Sequence, residues 1–228
     1  MVRHWVAILG LMLASNAGAL DLDEVEALTH RDYDARLAVY TASNRLISDV
    51  TPNRKLDAVF VRLLAVAFER YPAAKRLRWE LQLVQDNEVG AECYSDGRIL
   101  LGKGFLQRYA QDEDQLAFVI GHEMGHALAG HVRGYYLTAA AKLKVVGLTS
   151  DLLLSNVETD NALRMSLASL SRDQELEADR IGVMLATAAG FRRRGAEDVL
   201  TGFARDGGER GDWTHDGATV RLEELRRF

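Results

Sequence analysis

An α+β fold, a small β-sheet beside a mostly helical body, is predicted by three observations. Apolar residues recur at helical spacing through most of the chain. Between residues 79 and 102 this pattern gives way to short runs around turn residues. Directly afterwards, an apolar stripe carries two histidines four residues apart, one turn of a helix.

In chain order, residues 21–49 read as a helix ended by Thr51-Pro52-Asn53. A second helix from about Lys55 to Arg70 places Leu56, Val59, Phe60, Leu63, Leu64 and Ala67 on one face. Trp79, Leu81 and Leu83 alternate with polar residues, as in a half-buried strand. Two further strands, near Ala91–Tyr94 and Arg98–Leu101, flank the turn Ser95-Asp96-Gly97. A short helix is expected over Phe105–Ala110 and a long one from about Glu113 to Val132. Between Tyr135 and Ser171, Lys142, Lys144 and Asp151 interrupt the apolar run, which argues against a membrane span. Leucines there suggest a helical hairpin over the active site, with core packing favoured over a mobile lid or membrane-surface contact. After Asp173 the chain reads helical, broken at Gly190 and by a loop from Gly207-Gly208 to Gly217.

The first 19 residues have the layout of a secretory signal peptide. Arg3 and His4 precede an apolar stretch from Trp5 to Leu13, and Ala17-Gly18-Ala19 supplies a cleavage site. Residues 20–228 then form one domain, a length that suits a single core. The stretch is short for a membrane anchor. One cysteine, Cys93, excludes an internal disulfide, and burial is its expected state. An exported chain without a disulfide staple fits a bacterial periplasm. A formal charge of −5 with dispersed basic residues gives no footprint for nucleic acid. Arg192-Arg193-Arg194 is the one basic run, placed at an expected helix end where cations suit the dipole.

The chemistry lies in His122-Glu123-Met124-Gly125-His126. Two histidines on one helix face can bind a single zinc ion, and the glutamate beside the first can take a proton from its water. Apolar flanks imply a buried helix, in which both histidines need partners. A catalytic zinc site normally has three protein ligands. In a metzincin the third would be a histidine at position 132, which is Val132; His131 is one residue short. The alternative is a carboxylate from a second helix. Residues 171–182, Ser171 to Gly182, place Glu175 and Asp179 one turn apart, so that one could bind metal while the other accepts a hydrogen bond from a ligand histidine. Glu177 points elsewhere and reads as a solvated charge.

The pair HEMGHALAGH (His122 to His131) and SRDQELEADRIG (Ser171 to Gly182) resembles the gluzincin zinc metallopeptidases of metallopeptidase family 48, which include HtpX, BepA and the Ste-type prenyl-protein endopeptidases. The likeness extends from about Trp79 to Phe228, and it implies a zincin-like fold. It implies zinc, one per chain, held by His122, His126 and Glu175, with Glu123 as general base and Asp179 behind a ligand histidine. His131 matches a histidine common in the family without being assigned to the metal. Trp213-Thr214-His215-Asp216, followed by Arg221-Leu222, is similar to a segment whose histidine approaches zinc, which makes His215 a candidate fourth ligand or transition-state donor. Asp216 stands where the family has proline, and Gly90 where it often has asparagine.

The residues and the signal-like start give a periplasmic zinc endopeptidase with polypeptide substrates, and the resemblance implies that it acts on misfolded or misassembled cell-envelope proteins, with envelope or outer-membrane assembly proteins as candidate partners. The competing class is a chaperone or assembly factor with a largely closed zinc site. A catalytically dead binding protein is a third, and the intact Glu123 argues against it. Tyr135, Tyr136, Arg172 and His215 are the candidate oxyanion donors.

Overall fold

The structure, a computed structural model, describes residues 20, 22–47, 50–206 and 217–227. The expected signal peptide over residues 1–19 and the candidate His215 lie outside the described residues.

Helix α1 (Leu22–Ala42) is followed by a turn in which Asn44 adopts a left-handed conformation (φ 54°). It therefore stops short of the expected position 49. Helix α2 (Val50–Arg70) takes Thr51-Pro52-Asn53 into its first turn instead of starting after it. Proline fits there because a first-turn N–H has no intrahelical partner.

Strands β1 (Glu80–Val84), β2 (Ala91–Cys93) and β3 (Arg98–Gly102) form one sheet in the order β1-β3-β2. β1 runs parallel to β3, while β2 is antiparallel to it, with Ala91, Glu92 and Cys93 opposite Leu101, Leu100 and Ile99. The turn before β3 uses Gly97 at φ 91°. Every residue of β3 is buried, including Arg98, whose guanidinium meets Asp96 at 2.8 Å and Asp34 at 2.6 Å over the Tyr33 ring.

Helix α3 (Lys103–Tyr109) leads to α4 (Glu113–Ala129). Asp112 caps α4 by accepting from Gln115 N at 2.8 Å, while the Gln115 side chain accepts from Asp112 N, so two otherwise orphaned donors are satisfied together. Gly130, at φ 70°, ends α4 three residues before the expected Val132. His131 then opens α5 (His131–Leu143). Helices α6 (Ser150–Thr159), α7 (Asn161–Ala188), α8 (Arg194–Arg205) and α9 (Ala218–Arg227) complete the body.

The main core joins α2, α4, the sheet, the second half of α7, α8 and α9, with Leu63, Ile99, Leu101, Ile120, Met124 and Leu185 at its centre. Leu148, Leu153, Leu163 and Leu167 form a second cluster with Val25 and Leu28 of α1. The hairpin between the two motif helices thus has a core of its own, as favoured from sequence. Among the described residues no helix is long and apolar enough to cross a membrane. The arginine run is engaged on neighbouring elements: Arg192 donates from its backbone and side chain to Asp114 at 2.8 and 2.5 Å, and Arg193 to the carbonyl of Leu225.

Helices α4 and α7 pass unusually close. A Cβ on Gly121 would lie 2.9 Å from the Gly182 carbonyl oxygen, and one on Gly125 would lie 2.9 Å from that of Ala178. Gly121 directly precedes His122 and Gly125 directly precedes His126. The absence of side chains lets the two backbones touch.

Candidate metal centre

That approach sets His122 and His126 of α4 against Glu175 of α7. The two Nε2 atoms are 3.1 Å apart, Glu175 Oε2 is 3.4 Å from His122 Nε2, and Glu175 Oε1 is 3.2 Å from His126 Nε2. Three donors around a tetrahedral zinc, each bonded at about 2.1 Å, would be separated by about 3.4 Å. The residues fit such an ion, and they are the His/His/Glu group that could hold a metal among the described residues. Glu175 is 1% exposed, and a buried carboxylate facing two histidines needs a cation for balance.

The balance comes partly from Arg221 of α9. Its guanidinium holds Asp179 through Nε at 2.8 Å and Nη2 at 2.6 Å, and reaches Glu175 Oε2 with Nη1 at 2.8 Å. Asp179 Oδ1 in turn lies 3.0 Å from His122 Nδ1. Arg221 is 1% exposed, so the pairs are desolvated and worth keeping intact. Burial works to raise the Asp179 carboxyl, but the Arg221 guanidinium and the His122 hydrogen bond hold it at about 2. Asp179 thus lies directly behind His122, the first of the two candidate ligand histidines.

Two participants were not assigned to the site from sequence. Arg221 stood within the segment resembling the family, but its partners are 42 and 46 residues away in sequence, and only packing of α9 on α7 joins them. His131 sits with Nδ1 3.1 Å from His126 Nδ1 and Nε2 3.2 Å from Glu177 Oε2. On a continuous helix a residue five along would point away from His126; the left-handed Gly130 turns His131 back. Burial lowers the His131 pKa, as does the nearby His126. Glu177 is mainly exposed, as expected, yet it has this partner.

Glu123 is 3% exposed and lines a groove of about 1140 Å³. His126, His131 and Glu175 face the same groove. One wall is β2, which packs on α4 and contributes Ala91, Glu92 and Cys93. Arg36 of α1 grips Glu92 with both Nη atoms and donates to the Tyr94 hydroxyl at 3.0 Å, so α1 braces this strand. Cys93 is half-buried, its Sγ donating to the Tyr94 carbonyl at 3.3 Å, and burial pushes its thiol up, as do the Glu123 and Asp96 carboxylates. Of the candidate oxyanion donors, Tyr135 and Tyr136 line the groove, whereas Arg172 is exposed and is not among its lining residues.

A histidine pair on a buried helix, a carboxylate from a second helix and a glutamate beside an edge strand define the class of metal-dependent peptidases. Comparison with known proteins makes the assignment specific. The profile of peptidase family M48 matches residues 51–228, and the chain belongs to that family. It is 34% identical over 153 residues to the mitochondrial metalloendopeptidase OMA1 of Arabidopsis thaliana, covering 65% of this chain and 31% of that protein. It is 26% identical over 194 residues to mitochondrial metalloendopeptidase OMA1 of Saccharomyces cerevisiae, covering 76% and 55%. It is 25% identical over 158 residues to the beta-barrel assembly-enhancing protease of Escherichia coli K12, covering 64% and 31%. The chain thus spans between 31% and 55% of the length of these relatives. Helix α1, which braces β2, precedes the matched region.

Proposed function

We propose that this protein is a zinc-dependent endopeptidase that hydrolyses peptide bonds in misfolded or misassembled cell-envelope proteins after export to a bacterial periplasm. The observation that carries the chemistry is the convergence of His122, His126 and Glu175 within 3.4 Å, with Glu123 open to the same groove. The envelope role rests on likeness to the beta-barrel assembly-enhancing protease, and the address rests on the signal-like first 19 residues.

Bound zinc would supply Lewis acidity at the scissile carbonyl and lower the pKa of a water to about 7. Glu123 takes the proton of the attacking water and delivers it to the leaving amine. His122, His126 and Glu175 would hold the ion, and the Asp179–Arg221 pair keeps His122 and Glu175 in place. The outer edge of β2 offers main-chain hydrogen bonds to an extended peptide, a mode that tolerates many side-chain sequences. Tyr135 and Tyr136, which line the groove, are the candidate donors to the developing oxyanion, with His215 as the further candidate.

The test is zinc content and casein cleavage by the purified protein, wild type beside Glu123→Gln and His215→Ala. Zinc near one per chain, with cleavage lost in Glu123→Gln, supports the proposal. Zinc binding without cleavage in either wild type or His215→Ala would favour a chaperone with a closed site. No bound zinc would overturn both readings.

A further inference from the structure

We infer that Glu177 and His131 form a hydrogen-bond relay that positions His126, so that the two ligand histidines are held by different machinery. The inference rests on the metal-centre reading above and concerns how that centre is built.

The tautomers follow from the geometry. His126 turns Nε2 toward His122 and Glu175, at 3.1 and 3.2 Å, so this nitrogen must be free of its proton to bind a metal. A neutral imidazole then carries its proton on Nδ1. That Nδ1–H points at His131 Nδ1, 3.1 Å away, which must accept. A neutral His131 therefore bears its proton on Nε2, and that atom lies 3.2 Å from the Glu177 carboxylate. Each donor meets an acceptor under this assignment. Flipping one ring alone would set two N–H groups, or two lone pairs, against each other between the rings. Flipping both would put a proton on the metal-facing Nε2 of His126 and turn a His131 lone pair toward the Glu177 carboxylate.

The position of His131 also excludes it from the ligand set. It touches the Nδ1 edge of His126, whereas Glu175 and His122 meet the Nε2 edge. Its backbone is secured to the helix that carries Glu175 and Glu177, because Gln174 Nε2 donates to the His131 carbonyl at 3.2 Å.

The contrast with His122 gives the relay its consequence. His122 Nδ1 meets Asp179, a buried carboxylate locked by a buried arginine. His126 is backed by a neutral ring, and the carboxylate behind that ring has a side chain 59% exposed. The His126 half of the site is therefore tied to solvent through one surface residue. Groups that orient a metal-bound histidine typically change metal affinity by about 10- to 100-fold when removed.

The experiment measures zinc affinity of the full chain by competition with a chromophoric chelator, for wild type, Glu177→Ala, His131→Ala and the double variant. Glu177→Ala, at an exposed side chain, keeps the fold and should weaken zinc by several-fold. His131→Ala should weaken it by about 10- to 100-fold. The double variant should be no weaker than His131→Ala alone, since Glu177 acts only through His131. In cobalt-substituted protein the visible absorption band should shift in His131→Ala. Glu177→Asp should recover part of the loss. Unchanged affinity in both single variants, or losses that simply add, would overturn the relay while leaving the metal centre standing. Failure of wild type to bind zinc would instead overturn the metal centre.

Discussion

Gly182 of α7 stands directly against the backbone of His122: a Cβ built on it would fall 2.7 Å from the His122 nitrogen and 3.0 Å from its Cα. The carboxylate helix and the histidine helix therefore meet without side chains between them at the level of the first ligand.

Gly182→Ala should push α7 off α4 and widen the gap between Glu175 and the histidines. Overpacking of this kind costs about 1–3 kcal/mol. The expected outcome is a lower melting temperature for metal-free protein together with weaker zinc retention, read by differential scanning fluorimetry and metal analysis. A variant with full zinc content and unchanged melting would refute the close-approach argument.

Glu123→Gln should leave zinc bound and reduce peptide cleavage by roughly 100- to 10,000-fold, the usual contribution of a general base. Zinc content and casein hydrolysis measured on the same preparation check this. Loss of zinc in the variant would mean that Glu123 helps hold the ion.

Arg221→Met should destabilise the protein by about 3–5 kcal/mol, because it leaves the Asp179 and Glu175 carboxylates buried without their cation. Arg221→Lys should recover little, since one ammonium cannot reproduce the fork that grips Asp179 through Nε and Nη2. Urea unfolding of the metal-free variants gives the numbers. A lysine variant as stable as wild type would show that charge alone matters there.

Acid should unfold the metal-free protein through Asp179. Its folded pKa, about 2, lies below the ordinary 3.8, so its stabilising contribution is complete above about pH 4. That contribution declines as pH falls from 4 toward 2, where the native carboxylate finally protonates. Asp179→Asn should begin less stable and show a flatter stability curve across this window. Equal slopes in the two proteins would contradict the assignment.

The legible parts of the site were those written within one element. His122, Glu123 and His126 occupy a single helical turn, and Glu175 and Asp179 another, so helix periodicity alone groups them. The three strands and the turn at Gly97 were likewise readable, because alternation and turn residues are local signals. Pro52 misled because a proline can end one helix or begin the next, and neighbouring packing selects between them. Glu177 read as an idle surface charge because its partner is 46 residues away and arrives by a turn at Gly130.

The sequence by itself determined the class of fold, the donor types and their grouping into two helices, since each follows from spacing along the chain. Tertiary structure decided how those helices approach, through Gly121, Gly125 and Gly182, and that approach is what brings three donors to within 3.4 Å. It also decided that Arg221 pairs with both Glu175 and Asp179, that His131 backs His126, and that α1 braces β2 through Arg36 and Glu92. Each of these depends on side chains far apart in sequence meeting in a buried or shared space. Their strength comes from desolvation and mutual orientation, which exist only once the chain has folded.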